Sequence, residues 1–425
     1  MEARLDPIFT HAVSSQQIPG IAVVVLEASG RTIFSKGYGR TRVDDPESPL
    51  VTPASSAPVN SLSKLVTSTA LFQLIEQGKV SLEAAVEEYV PEIARIQRLV
   101  GFDENGEPVL RDPQKKPTVL QLLTHTTGFA YDMFNEDNLR WRIASGGTPN
   151  NYTAPTREAF YSPFLFEPGS RFEYGVNIDW VGYIVERVSG TDLGTFVQDH
   201  ISGPLGLQSW GSPVSSRQDQ SVFNVHRKDS KGQLTSQPLP PEKNRLCHGG
   251  HFLHSNAQDY SQVLLTVLNH GTHPVSRVKI LEPETVKGHF FTDAMPRLGC
   301  PRNGLGEFRS ALPHVTNNGS LMPGVKKGFS AAGLLLNLED LPNGRRQGSG
   351  AWAGMSNCYY WMDPTAGRLA VVVTCVLPFM DRDVLHLFDA LERAVYDKPA
   401  ANKIGESGSN FEGGFNMVKP RVSKD

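Results

Sequence analysis

The sequence predicts an α+β fold: one antiparallel sheet drawn from both ends of the chain, with a long helical section inserted between them. Three observations carry this. β-branched, strand-like runs occur near residues 21–39 and return only after about residue 320. Between them, segments with helical apolar spacing alternate with Pro- and Gly-rich loops. A chain of 425 residues, 39% of them hydrophobic, is also long enough to bury a large core.

In chain order, "IAVVVLEASGRTIFSKGYG" (21–39) reads as a hairpin of two strands around an Ala-Ser-Gly turn. "VNSLSKLVTSTALFQLIEQGK" (59–79) reads as a helix, with apolar Leu62, Leu65, Val66, Ala70, Phe72 and Ile75, and Gly78 as a left-handed C-terminal cap. "SLEAAVEEYVPEI" is expected to be a second, short helix ending near Pro91. "VLQLLTHTTG", "NIDWVGYIVERVSG" and "DYSQVLLTVLNHG" continue the helical section. Strands return in "GFSAAGLLL", "AWAGMSNCYYWM" and "RLAVVVTCV", which brings the expected sheet to five. "DRDVLHLFDALERAVY" closes the fold as a helix. The expected division is a discontinuous sheet domain of residues 1–80 and 320–398 and a mainly helical domain of residues 81–319. The Gly-, Ser- and Asn-rich tail, 399–425, is expected to be disordered.

A net charge of −3 and a sequence pI near 6.5 argue against a nucleic-acid or acidic-membrane partner. Cys247, Cys300, Cys358 and Cys375 show no CxxC spacing and read as free thiols of a reducing compartment, or as two thiols and one bridged pair. "MEARLDPIFTHAVSSQQIPG" lacks the apolar core of a secretory signal, and no run is long enough to span a bilayer. The expectation is a soluble, cytoplasmic protein.

The chemistry centres on Ser61 and Lys64. Serine is a favoured N-cap, but the capping box wants Glu or Gln three residues on, and Asn60 offers a competent cap one residue earlier. Lysine in a first turn also meets the positive end of the helix dipole, unfavourable by roughly 0.3–1 kcal/mol. Positions i and i+3 share a face, so the hydroxyl and the amine can meet. Burial and the helix terminus both disfavour the ammonium, which suits a base, and backbone N–H groups there favour an oxyanion. Ser-x-x-Lys alone is a weak pattern, and Ser276-Arg277-Val278-Lys279 repeats it outside a long helix.

"SLSK", "LLTHTTG" at 122–128 and "FEPGSRFEYGVNIDW" at 166–180, in that order, resemble the serine β-lactamase and penicillin-binding-protein-like family. Within it they are most similar to class C β-lactamases, their esterase relatives and the fungal statin side-chain acyltransferase branch. The resemblance runs from "QIPG" at 17–20 to the last helix. It implies a β-lactamase/transpeptidase-like fold, with Ser61 as the acylated nucleophile, Lys64 as its base, and Tyr174 as the group that helps activate the serine and protonates the leaving group. The backbone N–H groups of Ser61 and Met355 would form the oxyanion hole. Trp352, Gly354, Val176, Asn177 and Trp180 would line the substrate site.

Two departures bear on substrate. Tyr174-Gly175-Val176-Asn177 has one residue more than the Tyr-x-Asn of class C enzymes, and Trp352-Ala353-Gly354 stands where they carry Lys-Thr-Gly. A tryptophan cannot pair with a β-lactam carboxylate, which points to neutral acyl groups. The implied reaction is transfer of an acyl group from a thioester or ester to an alcohol in polyketide secondary metabolism, with an acyl carrier of a polyketide synthase as a possible donor partner. Hydrolysis through the same acyl-enzyme is the alternative, and a non-catalytic penicillin-binding-like protein the third reading. No cofactor or metal is implied. His248, His251 and His254 in "HGGHFLH" are read as loop packing or pocket lining, and His125 as a structural hydrogen-bonding residue. Gly348-Ser349-Gly350 is not a Gly-x-Ser-x-Gly elbow.

Overall fold

The computed structural model describes residues 1–152, 154, 156–210, 222–237 and 246–399. At its centre is an antiparallel sheet built from β1 (Gly20–Glu27), β2 (Thr32–Gly39), β3 (Lys327–Phe329), β4 (Leu335–Asn337), β5 (Gly350–Gly354), β6 (Cys358–Asp363) and β7 (Arg368–Val373). The strand order is β3-β4-β5-β6-β7-β1-β2. The two ends of the chain meet at the pairing of β1 with β7, where Val24 faces Val371 and Ala22 faces Val373.

β1 and β6 are buried almost along their whole length, because helices cover both faces of the sheet. The principal helices are α1 (Glu2–Ser14), α2 (Ser63–Glu76), α3 (Val119–Leu123), α4 (Asn177–Ser189), α5 (Ala257–Leu268) and α6 (Arg382–Val395). Alternation along β6 separates the faces: Tyr359 and Trp361 pack on Phe388 of α6, whereas Tyr360 packs on Tyr260 of α5. Asp381 caps α6 by accepting from the N–H groups of Asp383 and Val384, and left-handed Gly190 ends α4.

The sheet has seven strands rather than the five expected. "GFSAAGLLL" and "AWAGMSNCYYWM" are each a hairpin, not one strand. Gly333 (φ +84°) turns the first and Asn357 (φ +57°) the second, and neither turn has a Pro or an Asn-Gly pair to announce it. The helix expected over 81–93 is two 3₁₀ turns, Val86–Glu88 and Pro91–Arg95. There the backbone bonds to residues 117–120 instead, with Val86 N–H to the Pro117 carbonyl and Leu120 N–H to that of Leu82. The inserted section also holds an unexpected hairpin, Arg98–Phe102 with Pro108–Arg111, across "DENG". Tail residues from 400 on lie outside the described residues. Among those described, no helix is long and apolar enough to cross a membrane.

Candidate active site

Ser61 lies in a 3₁₀ turn, Asn60–Leu62, that runs straight into α2. Its side is half-buried, while Lys64 is 2% exposed. Asn60 does not cap the helix. It takes a left-handed φ of +49°, and its amide donates to Ser356 Oγ (2.8 Å) and the Pro58 carbonyl (3.1 Å). Three other elements hold the turn. Tyr260 of α5 donates to the Leu62 carbonyl at 2.8 Å, and Ser63 Oγ accepts from Leu253 N–H at 3.0 Å. Gly354, the last residue of β5, lies so close to the Val59 carbonyl that a Cβ would stand 2.4 Å from it. Met355 therefore sits between a residue pressed on Val59 and one bonded to Asn60, beside the turn that carries Ser61.

Lys64 Nζ is 3.0 Å from Ser61 Oγ, 3.1 Å from the Tyr131 hydroxyl and 2.9 Å from the Gly250 carbonyl. Sequence reasoning did not find Tyr131 or Gly250. Tyr131 follows the "LLTHTTG" run by three residues, and Gly250 belongs to the "HGGH" loop. That loop enters between α2 and α4 because Gly249 has no side chain: a Cβ would stand 2.3 Å from the Ile178 carbonyl and 2.9 Å from Thr67 Cγ2. Thr67 Oγ1 then donates to the Gly249 carbonyl at 2.7 Å.

Tyr174 approaches Lys64 through its ring, whose centroid is 4.9 Å from Nζ. Its hydroxyl is 3.4 Å from Trp352 Nε1. An indole N–H only donates, so the Tyr174 oxygen accepts from it and its own proton is left for another partner. Around Tyr174 stand Trp352, Tyr131, Phe134 and Phe308, with ring centroids 5.0, 5.2, 6.0 and 6.0 Å away, an aromatic cluster beside the Lys64 amine.

The remaining expected residues divide. His125 is buried, its carbonyl accepts from Glu173 N–H (3.0 Å), and its Nδ1 lies 3.4 Å from Gly175 N and 3.0 Å from Asn177 Nδ2. Burial, then the charge of Lys64, pushes its pKa well below the usual value, so it holds the Tyr174 segment as a neutral ring. Asn177 and Val176 are fully buried, and Asn177 bonds Thr127 and His125 rather than facing Ser61. Trp180 is fully buried among Phe129, Phe160 and Tyr161. The structure does not bring these three to the serine, because α4 turns them into the helical core. His248 Nε2 and His251 Nε2 face the carbonyls of Ala154 (2.7 Å) and Tyr152 (2.6 Å). Among the described residues no three His, Cys, Asp or Glu side chains gather as metal ligands. Ser276 and Lys279 are exposed, and Lys279 pairs with Glu282. Ser349 Oγ donates to the Arg346 carbonyl.

The Beta-lactamase family model matches residues 5–393. The chain is 29% identical over 402 residues to monacolin J acid methylbutanoyltransferase of Aspergillus terreus, with 92% of this chain and 95% of that protein covered. It is 27% identical over 419 residues to lovastatin esterase of Penicillium rubens, covering 94% and 99%. Among solved structures, simvastatin synthase from Aspergillus terreus (LovD6 mutant) superposes with a TM-score of 0.79 at 30% identity, over 93% of this chain and 96% of the other.

Proposed function

The chain belongs to the beta-lactamase family, and from that premise we propose that it is a cytoplasmic serine acyltransferase of secondary metabolism. It would move a short acyl group from a thioester or ester donor to the hydroxyl of a larger alcohol. The observation that carries this reading is the buried amine of Lys64, 3.0 Å from the half-buried Ser61 hydroxyl at the start of a helix. Lys64 takes the Ser61 proton as Oγ attacks the acyl carbonyl. The N–H groups of Ser61 and Met355 receive the oxyanion. Tyr174, whose oxygen accepts from Trp352, gives its proton to the departing thiol or alcohol and recovers one when the acceptor attacks acyl-Ser61.

Transfer and hydrolysis differ only in what attacks the acyl-enzyme. The aromatic cluster of Trp352, Tyr174, Phe134 and Phe308 gives a water few partners, which favours an apolar alcohol as the acceptor. The similar proteins named as methylbutanoyltransferase and lovastatin esterase mark the two outcomes. An acyl carrier of a polyketide synthase is a natural donor partner under this reading. The test is product partitioning with a methylbutanoyl thioester and a panel of polycyclic alcohols. Ester should form faster than free acid with at least one acceptor. Free acid dominating with all of them would make the protein an esterase.

A further inference from the structure

Against Gly250, whose carbonyl accepts from Lys64, lies a carboxylate that the acyl-transfer scheme leaves unused. Asp179, in the first turn of α4, has no accessible side-chain surface. Its Oδ1 accepts from Gly250 N–H at 3.0 Å, and its Oδ2 is buried without a partner of ordinary hydrogen-bond geometry. The basic ring beside it, His251, has Nδ1 3.6 Å from Oδ1. That ring does not neutralise it. His251 Nε2 is 2.6 Å from a carbonyl, which only accepts, so Nε2 carries the proton and a neutral ring has a bare Nδ1. Burial holds the His251 pKa down to about 4.

The group placed to serve Oδ2 is the Tyr131 hydroxyl. Both lie against the same face of Gly250, 2.9 and 3.0 Å from where a Cβ would stand. Burial raises the Tyr131 pKa well above its usual value, followed by the negative charge of Asp179. The phenol therefore stays protonated, and the unpartnered Asp179 Oδ2 beside Gly250 is an acceptor toward which its proton can turn. Other titratable groups around this pair are Lys64 from α2 and Tyr152, both against Tyr131, and, lining a small cavity together with Asp179, His248, Cys247, Arg157, Tyr183 and Glu186.

We propose that Asp179 is a positioning residue that fixes the direction of the Tyr131 hydroxyl and, through it, the direction in which Lys64 works. With its proton turned to Asp179, Tyr131 offers Lys64 only a lone pair. Lys64 then donates one N–H to Tyr131 and one to the Gly250 carbonyl, and its remaining tetrahedral position faces Ser61. In the neutral amine that position is the lone pair a general base needs. Once the amine holds the Ser61 proton, the Asp179 charge stabilises it one hydroxyl away. This inference rests on reading Ser61 as the nucleophile.

Acylation by a methylbutanoyl thioester, followed by intact mass and initial rate across pH, tests it in three variants. Asp179→Asn keeps the shape but can donate to Tyr131 and reverse its hydroxyl. We expect kcat/KM for acylation to fall on the order of 100-fold. The acid limb of its pH profile should move about one unit lower, because a negative charge near the base is gone. Tyr131→Phe, which leaves the carboxylate in place, should lose a similar factor. The double variant should be no worse than the poorer single, as for groups acting in series. A wild-type pH profile in Asp179→Asn, or losses that multiply, would overturn the relay while leaving the assignment of Ser61 intact. If the wild-type protein itself takes up no acyl group, both readings fall together.

Discussion

At the scale of single residues, the Ser61–Lys64 pair was legible because Lys64 breaks a local rule: a cation stands where a helix start favours an acid. Tyr131 was not legible, since only the fold brings residue 131 to the amine of residue 64. In the sequence Trp352 marks a lost lysine; its donor N–H reaches Tyr174 only through the fold. Buried histidines carry a prediction of their own. His226 Nε2 accepts from Val43 N–H at 3.1 Å, and burial lowers its pKa to about 4, as it does for His251. A neutral ring in the fold and a pKa near 6.5 in the unfolded chain mean that the unfolded state binds more protons in between. Each histidine's contribution is thus complete above pH 6.5 and is lost as pH falls toward 4, by about 3 kcal/mol at most. Urea denaturation across this window should show stability falling with acid. In His226→Gln the slope should be shallower by about 1.4 kcal/mol per pH unit. An unchanged slope would mean that His226 does not titrate on unfolding.

At the scale of elements, helices with a cap and a regular apolar face were readable, as α4 with Gly190 and α6 with Asp381 show. Elements decided by distant backbone partners were not. Residues 81–93 gave up a helix for hydrogen bonds to 117–120, and the two late hairpins turn on residues with positive φ that no sequence pattern marks. The "HGGH" loop belongs to the same class. Its glycines signalled a turn, whereas their function is close approach: Gly249 to α4 and Gly250 to Lys64. Gly249→Ala should therefore destabilise the fold by about 1–3 kcal/mol or more and lower kcat/KM at least tenfold, because the Gly250 carbonyl must shift. Gly78→Ala is the control. It also has positive φ (+69°), but nothing lies within 4 Å of its Cβ position, so it should cost only about 1–2 kcal/mol and leave kcat/KM unchanged. Equal activity in the two variants would refute a positioning function for the loop.

At the scale of the whole molecule, the α+β class was readable because strand-like runs bracket a helical section, and the sheet does join residues 20–39 to 327–373. That joining sets up the proposed site. β5 brings Trp352 and Gly354 from the C-terminal part against the turn of Ser61 from the N-terminal part, while the inserted section supplies Tyr131, Tyr174 and Gly250. What the sequence could not resolve was depth. Asn177 and Trp180 lie in the right segment, yet point into the helical core. Acyl transfer by this protein requires a covalent acyl-Ser61. Intact mass of the full-length protein after a methylbutanoyl thioester pulse should show one added acyl group, and peptide mapping should place it on Ser61 and find none in Ser61→Ala. An adduct on Ser276 or Ser349, or the same adduct in Ser61→Ala, would contradict it.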